Sequence, residues 1–233
     1  MIKCICGLPG NGKNQYATHV AIKAMRDGYK VYSSYPIKTK IRSFNKNNFL
    51  KNVEVRTYVI NKEKFLKGEY EPGSVIIFDE AWLDFFNMEF KSVNKEEIKK
   101  YAGARHMGIT LYYLTQNATR ITPYLKDSTD SYLWSEKKLL YNKITEYFQL
   151  ENIGKIVGEE MNQISPKLVK QFIYFRKKSI MTSYNDSYLK DQVKLDGSHD
   201  QMYEPFKVEY RSLFKRIRKN ITRMLQYRKS LKV

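Results

Sequence analysis

The sequence predicts an α/β fold, with a mostly parallel central sheet flanked by helices and a basic helical extension at the C-terminus. Three observations carry this. A glycine-rich loop, Gly7-Leu8-Pro9-Gly10-Asn11-Gly12-Lys13-Asn14, joins a short β-prone run to a helix-compatible stretch. Two uninterrupted apolar runs, residues 74–78 and 109–114, each end in polar residues, as strands buried on both faces of a parallel sheet do. Residues 201–233 interleave apolar and cationic side chains at helical spacing.

Taken in order, Ile2, Cys4 and Cys6 alternate with Lys3 and Ile5, which predicts a strand over residues 2–6 and then a helix over 13–26. Cys4 and Cys6, the only cysteines, share one strand face two residues apart and are poorly placed to pair, so both are expected as reduced core residues. Further strands are expected near 29–33, 53–60, 74–79 and 109–115, with a second helix near 95–104. Beyond Tyr124 the pattern weakens: 131–134 and 171–175 read as strands, while 144–150 is ambiguous. The polar stretch 190–201, containing Asp196-Gly197-Ser198, reads as a linker. The expected division is one domain over 1–190 and a linker with a basic amphipathic helix over 191–233.

The loop fits G-x-x-x-x-G-K-[ST] at every position but the last. Glycines let successive N–H groups turn inward on phosphates, the following helix N-terminus adds partial positive charge, and a lysine reaches the β and γ phosphates. The expected nucleotide-binding set is therefore Gly7, Pro9, Gly10, Asn11, Gly12, Lys13 and Asn14, with Lys13 also catalytic. Asn14 stands where a Ser or Thr hydroxyl usually meets Mg²⁺; an amide offers a neutral carbonyl oxygen, or holds the metal through water. The run after Pro72-Gly73 ends in two carboxylates. Asp79 is placed to hold the Mg²⁺ shell, with Asn14 as second metal-site residue, and Glu80 to act as general base toward water. Because carboxyl ends of parallel strands gather at one edge, Gln116 is expected beside Asp79 as a sensor of the γ phosphate. ATP and Mg²⁺ are the ligands this set implies.

Gly7 to Lys13, then Gly28-Tyr29-Lys30-Val31-Tyr32 leading to Tyr35-Pro36-Ile37, then Ile76 to Trp82, then Arg105-His106-Met107-Gly108 before a strand ending in Thr115-Gln116, together resemble the Zot-type ATPases. That family includes the filamentous-phage assembly ATPases and sits within the FtsK/HerA superfamily of ring-forming DNA translocases. The resemblance spans about residues 1–130. It implies a RecA-like, additional-strand P-loop NTPase fold with a catalytic glutamate. It also implies ATP hydrolysis by a hexameric or pentameric ring that moves viral DNA, in the host cytoplasm or on the virion. Such rings use an arginine donated across the subunit interface. Arg105, in the Arg-His-x-Gly piece, and Arg120, just past Gln116, are both candidates.

The chain departs from the family at Asn14 and in lacking a recognisable membrane-spanning segment. A spanning helix needs about 20 largely apolar residues, and every such window here contains charges. Packaging into a preformed capsid is therefore expected over extrusion. No signal peptide is expected either, since a core strand begins at once. His19, His106 and His199 are scattered and suggest no zinc site.

The formal net charge is +18, unevenly spread. Residues 38–67 hold nine Lys/Arg against two Glu, and 201–233 hold ten against two, so these two blocks carry nearly all of the excess. Such blocks suit a polyanion, and contact with DNA backbone without sequence reading is what a translocase needs. In the tail, Tyr210, Leu213, Phe214, Ile217, Ile221, Met224 and Leu225 form an apolar stripe. That stripe has three open uses: packing on the chain's own core or a neighbouring subunit, contacting DNA, or attaching to an anionic membrane or capsid surface. A different class also stays open, a hydrolysis-poor nucleotide-binding scaffold for virion assembly.

Overall fold

Residues 1–44, 50–60, 70–81, 107–116, 118, 121, 125–126, 128–138, 141–148, 168–175, 177–184 and 201–206 are described by the computed structural model. They form strands β1 (Ile2–Cys6), β2 (Val31–Ser33), β3 (Lys38–Phe44), β4 (Leu50–Arg56), β5 (Tyr58–Val59), β6 (Val75–Phe78), β7 (Thr110–Thr115), β8 (Ser131–Lys137), β9 (Tyr141–Phe148) and β10 (Leu168–Phe175). Two helices accompany them, α1 (Lys13–Arg26) and α2 (Lys178–Met181). The main sheet runs β10-β9-β8-β1-β7-β6-β2-β5. From β8 to β5 every neighbouring pair is parallel, while β9 and β10 add an antiparallel edge.

Alternation along the inner strands feeds two cores. Ile2, Cys4 and Cys6 of β1 join Ile76, Phe78, Leu111, Tyr113 and Tyr132 on one face. Ile5, Ile77, Leu114 and Leu133 point the other way, under α1. With both faces covered, β6 is buried at all four positions, which is why it reads as an unbroken apolar run. Ala17, Ala21 and Ala24 lie on the buried side of α1, and their small side chains let the helix come close to the sheet. Each buried aliphatic or aromatic side chain contributes roughly 1.5–3 kcal/mol, against about 0–1 kcal/mol for an exposed ion pair such as Lys30–Glu71. The cores therefore hold the sheet together, and surface charge remains for other uses.

Cys4 and Cys6 are free and buried, with sulfurs 3.4 Å apart on the expected shared face. Burial, reinforced by the neighbouring Cys6 thiol, pushes the Cys4 thiol well above its usual range and keeps it protonated.

Two parts differ from the sequence reading. The single strand expected over 53–60 is broken at Thr57, whose N–H donates to Ile37 O (2.9 Å) and whose hydroxyl accepts from Ile37 N–H (3.1 Å). That clamp turns the chain from β4 into β5. Before it, β4 pairs antiparallel with β3, an unexpected strand, in a separate two-stranded ribbon. Residues 144–148 of the ambiguous segment 144–150 belong to β9, the partner of both β8 and β10, and residues 149–150 lie outside the described residues. The helix expected over 95–104, the linker residues 191–200 and the tail from 207 onward lie outside the described residues.

Residues 201–206 pack onto this framework. Val59 N–H donates to Gln201 O (2.8 Å), and the buried Tyr203 sends its hydroxyl to Ser33 O (2.9 Å). Among the described residues no helix is long and apolar enough to cross a membrane.

Candidate functional site

The loop after β1 turns into α1 at the sheet edge where β6 and β7 also end. Two of its glycines are fixed by what surrounds them. A Cβ on Gly7 (φ 149°) would lie 2.6 Å from Ser135 O, and one on Gly12 (φ 82°) would lie 2.1 Å from Asn142 Nδ2. The β8–β9 hairpin thus presses on the loop from outside, and Ser135 Oγ also donates to Asn11 O (2.8 Å). Gly12 caps α1 with no side-chain hydrogen bond and no acidic residue follows in the first turn, so the helix start is left for an anion.

Lys13 begins α1 and is only 6 % exposed. Its ammonium donates to Gly7 O (2.9 Å) and Leu8 O (3.3 Å), folded back across the loop. Burial lowers its pKa from the ordinary lysine value, while the charges of Glu80 and Asp79 act in the opposite direction.

Asp79 follows β6 and is held from three sides. Its N–H donates to Ser34 Oγ (2.7 Å), its Oδ1 accepts Glu80 N–H (2.9 Å), and its Oδ2 accepts Asn14 Nδ2 (2.7 Å). Burial, and then the nearby Glu80 charge, push its pKa up to about 6 against the opposing pull of Asn14, the Glu80 N–H and Lys13. The position-14 amide therefore ties to the carboxylate through nitrogen, leaving Oδ1 as its acceptor. Tyr35 fixes the same turn, its hydroxyl donating to Asn14 O (3.3 Å) and lying 3.2 Å from Thr18 Oγ1.

Glu80 has φ 48°, a left-handed conformation that costs a side-chain-bearing residue roughly 1–3 kcal/mol and persists where its surroundings hold it. Gln116 Nε2 donates to Glu80 Oε1 (3.1 Å). The glutamine expected beside Asp79 thus reaches the adjacent carboxylate.

These groups line a cleft of about 370 Å³, within the ~300–1,000 Å³ of small-molecule sites. Pro9, Gly10, Gly12, Lys13, Asn14, Asp79, Glu80 and Gln116, all read from the sequence, face it. Gly7 and Asn11 shape the loop behind it. Arg105 and Arg120 lie outside the described residues. The sequence reading missed the outer wall, made by Gln15, Lys137, Asn142, Met181 and Tyr184, and the supporting role of Ser34. Only Ser34 carried a usable signal, a hydroxyl residue directly after a buried strand at the edge where the carboxylates collect.

Among the described residues no group of three or more His, Cys, Asp or Glu could enclose a metal. Asp79 with the Asn14 carbonyl oxygen is a sparse, all-oxygen set. It fits Mg²⁺, which keeps several waters and takes phosphate oxygens, and does not fit zinc.

No sequence profile of a protein family matches the chain, and no curated protein matches it in sequence. Solved structures do match it. The N-terminal domain of zonular occludens toxin from Neisseria meningitidis is 17% identical, covers 79% of this chain and 98% of its own, and superposes with a TM-score of 0.51. The genome packaging NTPase B204 from Sulfolobus turreted icosahedral virus 2, in complex with ATP-gammaS, is 15% identical over 74% of this chain and 96% of its own, with a TM-score of 0.45. The likeness to the toxin domain bears out the expected Zot-type resemblance and the α/β architecture at the level of fold.

Proposed function

We propose that this chain is a Zot-type P-loop ATPase that binds Mg-ATP in the cleft, hydrolyses it, and drives viral DNA during packaging. The observation that carries this is the meeting of Lys13, Asp79, Glu80 and Gln116 around one cleft at the uncapped start of α1. Lys13 exchanges its two loop carbonyls for β and γ phosphate oxygens, and the loop and first-turn N–H groups take the remaining phosphate charge. Glu80, steadied by Gln116, orients water and takes its proton as the oxygen attacks the γ phosphorus and the bond to ADP breaks. Asp79 and the Asn14 carbonyl oxygen would hold Mg²⁺ and its waters, and the metal would supply positive charge against the triphosphate.

The finer reading follows the family resemblance. A pentameric or hexameric ring supplies Arg105 or Arg120 across each interface, and the chain's excess of cations meets DNA without reading its sequence. The work is done in the host cytoplasm or at the capsid. One observation favours a second reading: Asn14 occupies Asp79 directly, which suits a scaffold that binds nucleotide and hydrolyses it poorly. Steady-state ATP turnover by the full chain, with and without single-stranded DNA, separates the two. The motor requires Mg²⁺-dependent turnover that DNA raises, whereas tight ATP binding with no turnover in either condition would establish the scaffold.

A further inference from the structure

We propose that the β3–β4 ribbon, which springs from the segment that supports the nucleotide cleft, is a DNA-backbone contact. This rests on reading the chain as a DNA-handling ATPase, and names the element that touches the DNA.

Register places Lys38 opposite Arg56, Lys40 opposite Glu54, and Arg42 opposite Asn52 on one face, with Lys51 on the other beside Ser43. The two strands carry five cations and one acid. Two cations have structural partners: Lys38 Nζ donates to Phe206 O and lies 3.6 Å from Glu54, and Arg56 Nη1 donates to Tyr203 O (2.8 Å). Lys40, Arg42 and Lys51 are exposed and make no ion pair with a described residue.

Exposed cations on a two-stranded ribbon match a phosphate backbone in charge, and such a ribbon is narrow enough to enter a duplex major groove about 12 Å wide. A membrane or protein partner would call for an apolar patch. Val53 is the one large hydrophobic exposed among the ribbon's described side chains, so nucleic acid is the partner the surface favours.

The root of the ribbon is also the support of the cleft. Ser34 receives the Asp79 N–H, Tyr35 bonds to Asn14 O, and Ile37 bridges to the cleft-lining Tyr184. β3 begins one residue later. DNA on the ribbon is therefore held by strands continuous with the segment that aligns Asp79.

The test uses the full chain carrying Lys40→Gln, Arg42→Gln and Lys51→Gln together, with fluorescence anisotropy on duplex and single-stranded DNA over a salt series and a fluorescent ATP analogue as control. DNA affinity should fall about tenfold or more near 0.1 M salt. The log–log salt slope should flatten by about 0.9 per lost contact on duplex or 0.7 on single strands, with nucleotide affinity unchanged. Glu54→Gln, which removes the ribbon's one acid, should tighten DNA binding about two- to fivefold, a gain that unfolding cannot imitate. Unaltered DNA affinity and slope in both variants would overturn the ribbon's role and leave the ATPase reading standing. A wild-type chain that binds no DNA would overturn the ribbon and the DNA-driving part of the function together. Loss of binding to anionic vesicles, with DNA binding intact, would overturn it in favour of a membrane contact.

Discussion

The cleft and the ribbon lie four residues apart, from Ser34 to Lys38, yet they hold their charges in opposite ways. In the cleft Lys13 rests on two carbonyls, Asp79 is bonded from three sides, and Glu80 accepts from Gln116. In the ribbon Lys40, Arg42 and Lys51 stand in solvent. A ligand of one shape is served by groups whose positions are fixed in advance. A polymer that must slide is served by cations that bind any phosphate and hold none. Losses in the cleft should therefore be steep and confined to nucleotide chemistry, and losses in the ribbon graded and dependent on salt.

The sharpest way to break this contrast is Lys13→Ala. Removing the buried ammonium should weaken ATP binding or turnover at least tenfold, about 1.4 kcal/mol or more, while DNA affinity measured without nucleotide stays within about twofold. Equal damage to both activities would mean that the cleft and ribbon are one binding surface.

A smaller effect tests the strain stored at the carboxylate. With its pKa raised to about 6, Asp79 contributes stability that is fully present below its unfolded value of 3.8 and lost as pH rises through 6. Above pH 6 the empty protein carries a buried charge at a cost of roughly 2–3 kcal/mol. Asp79→Asn should therefore gain on wild type by about that amount between pH 4 and 7, read by urea unfolding without nucleotide. The ribbon triple variant should show no such pH-dependent gap, and its appearance there would assign the titration to another group.

The same contrast decides what was legible in the sequence. The cleft floor could be read because a parallel strand buried on both faces, such as β6, leaves an unbroken apolar run with its chemistry at the end. The glycine pattern of 7–13 is likewise contiguous, since one loop must wrap one phosphate group. β3 was missed because only one of its faces is covered, and mostly by polar residues: Lys38, Lys40 and Arg42 take one face and Thr39, Ile41 and Ser43 the other, which gives no strong apolar alternation. The cleft wall was missed for a different reason. Lys137 and Asn142 pair across the β8–β9 turn, and only that pairing brings them over the loop. Asn14 was read correctly as a departure. Its direct bond to Asp79 is not legible there, because nothing in the sequence fixes which amide atom faces the carboxylate.

The most direct test of the account is Glu80→Gln, which keeps the side chain's shape and its contact with Gln116 but removes the base. Nucleotide binding and steady-state hydrolysis should be measured on the same preparation. The account predicts ATP binding equal to wild type and turnover at least about a hundredfold slower. Turnover within a few-fold of wild type would place the base elsewhere and contradict the reading of this cleft as the site of hydrolysis.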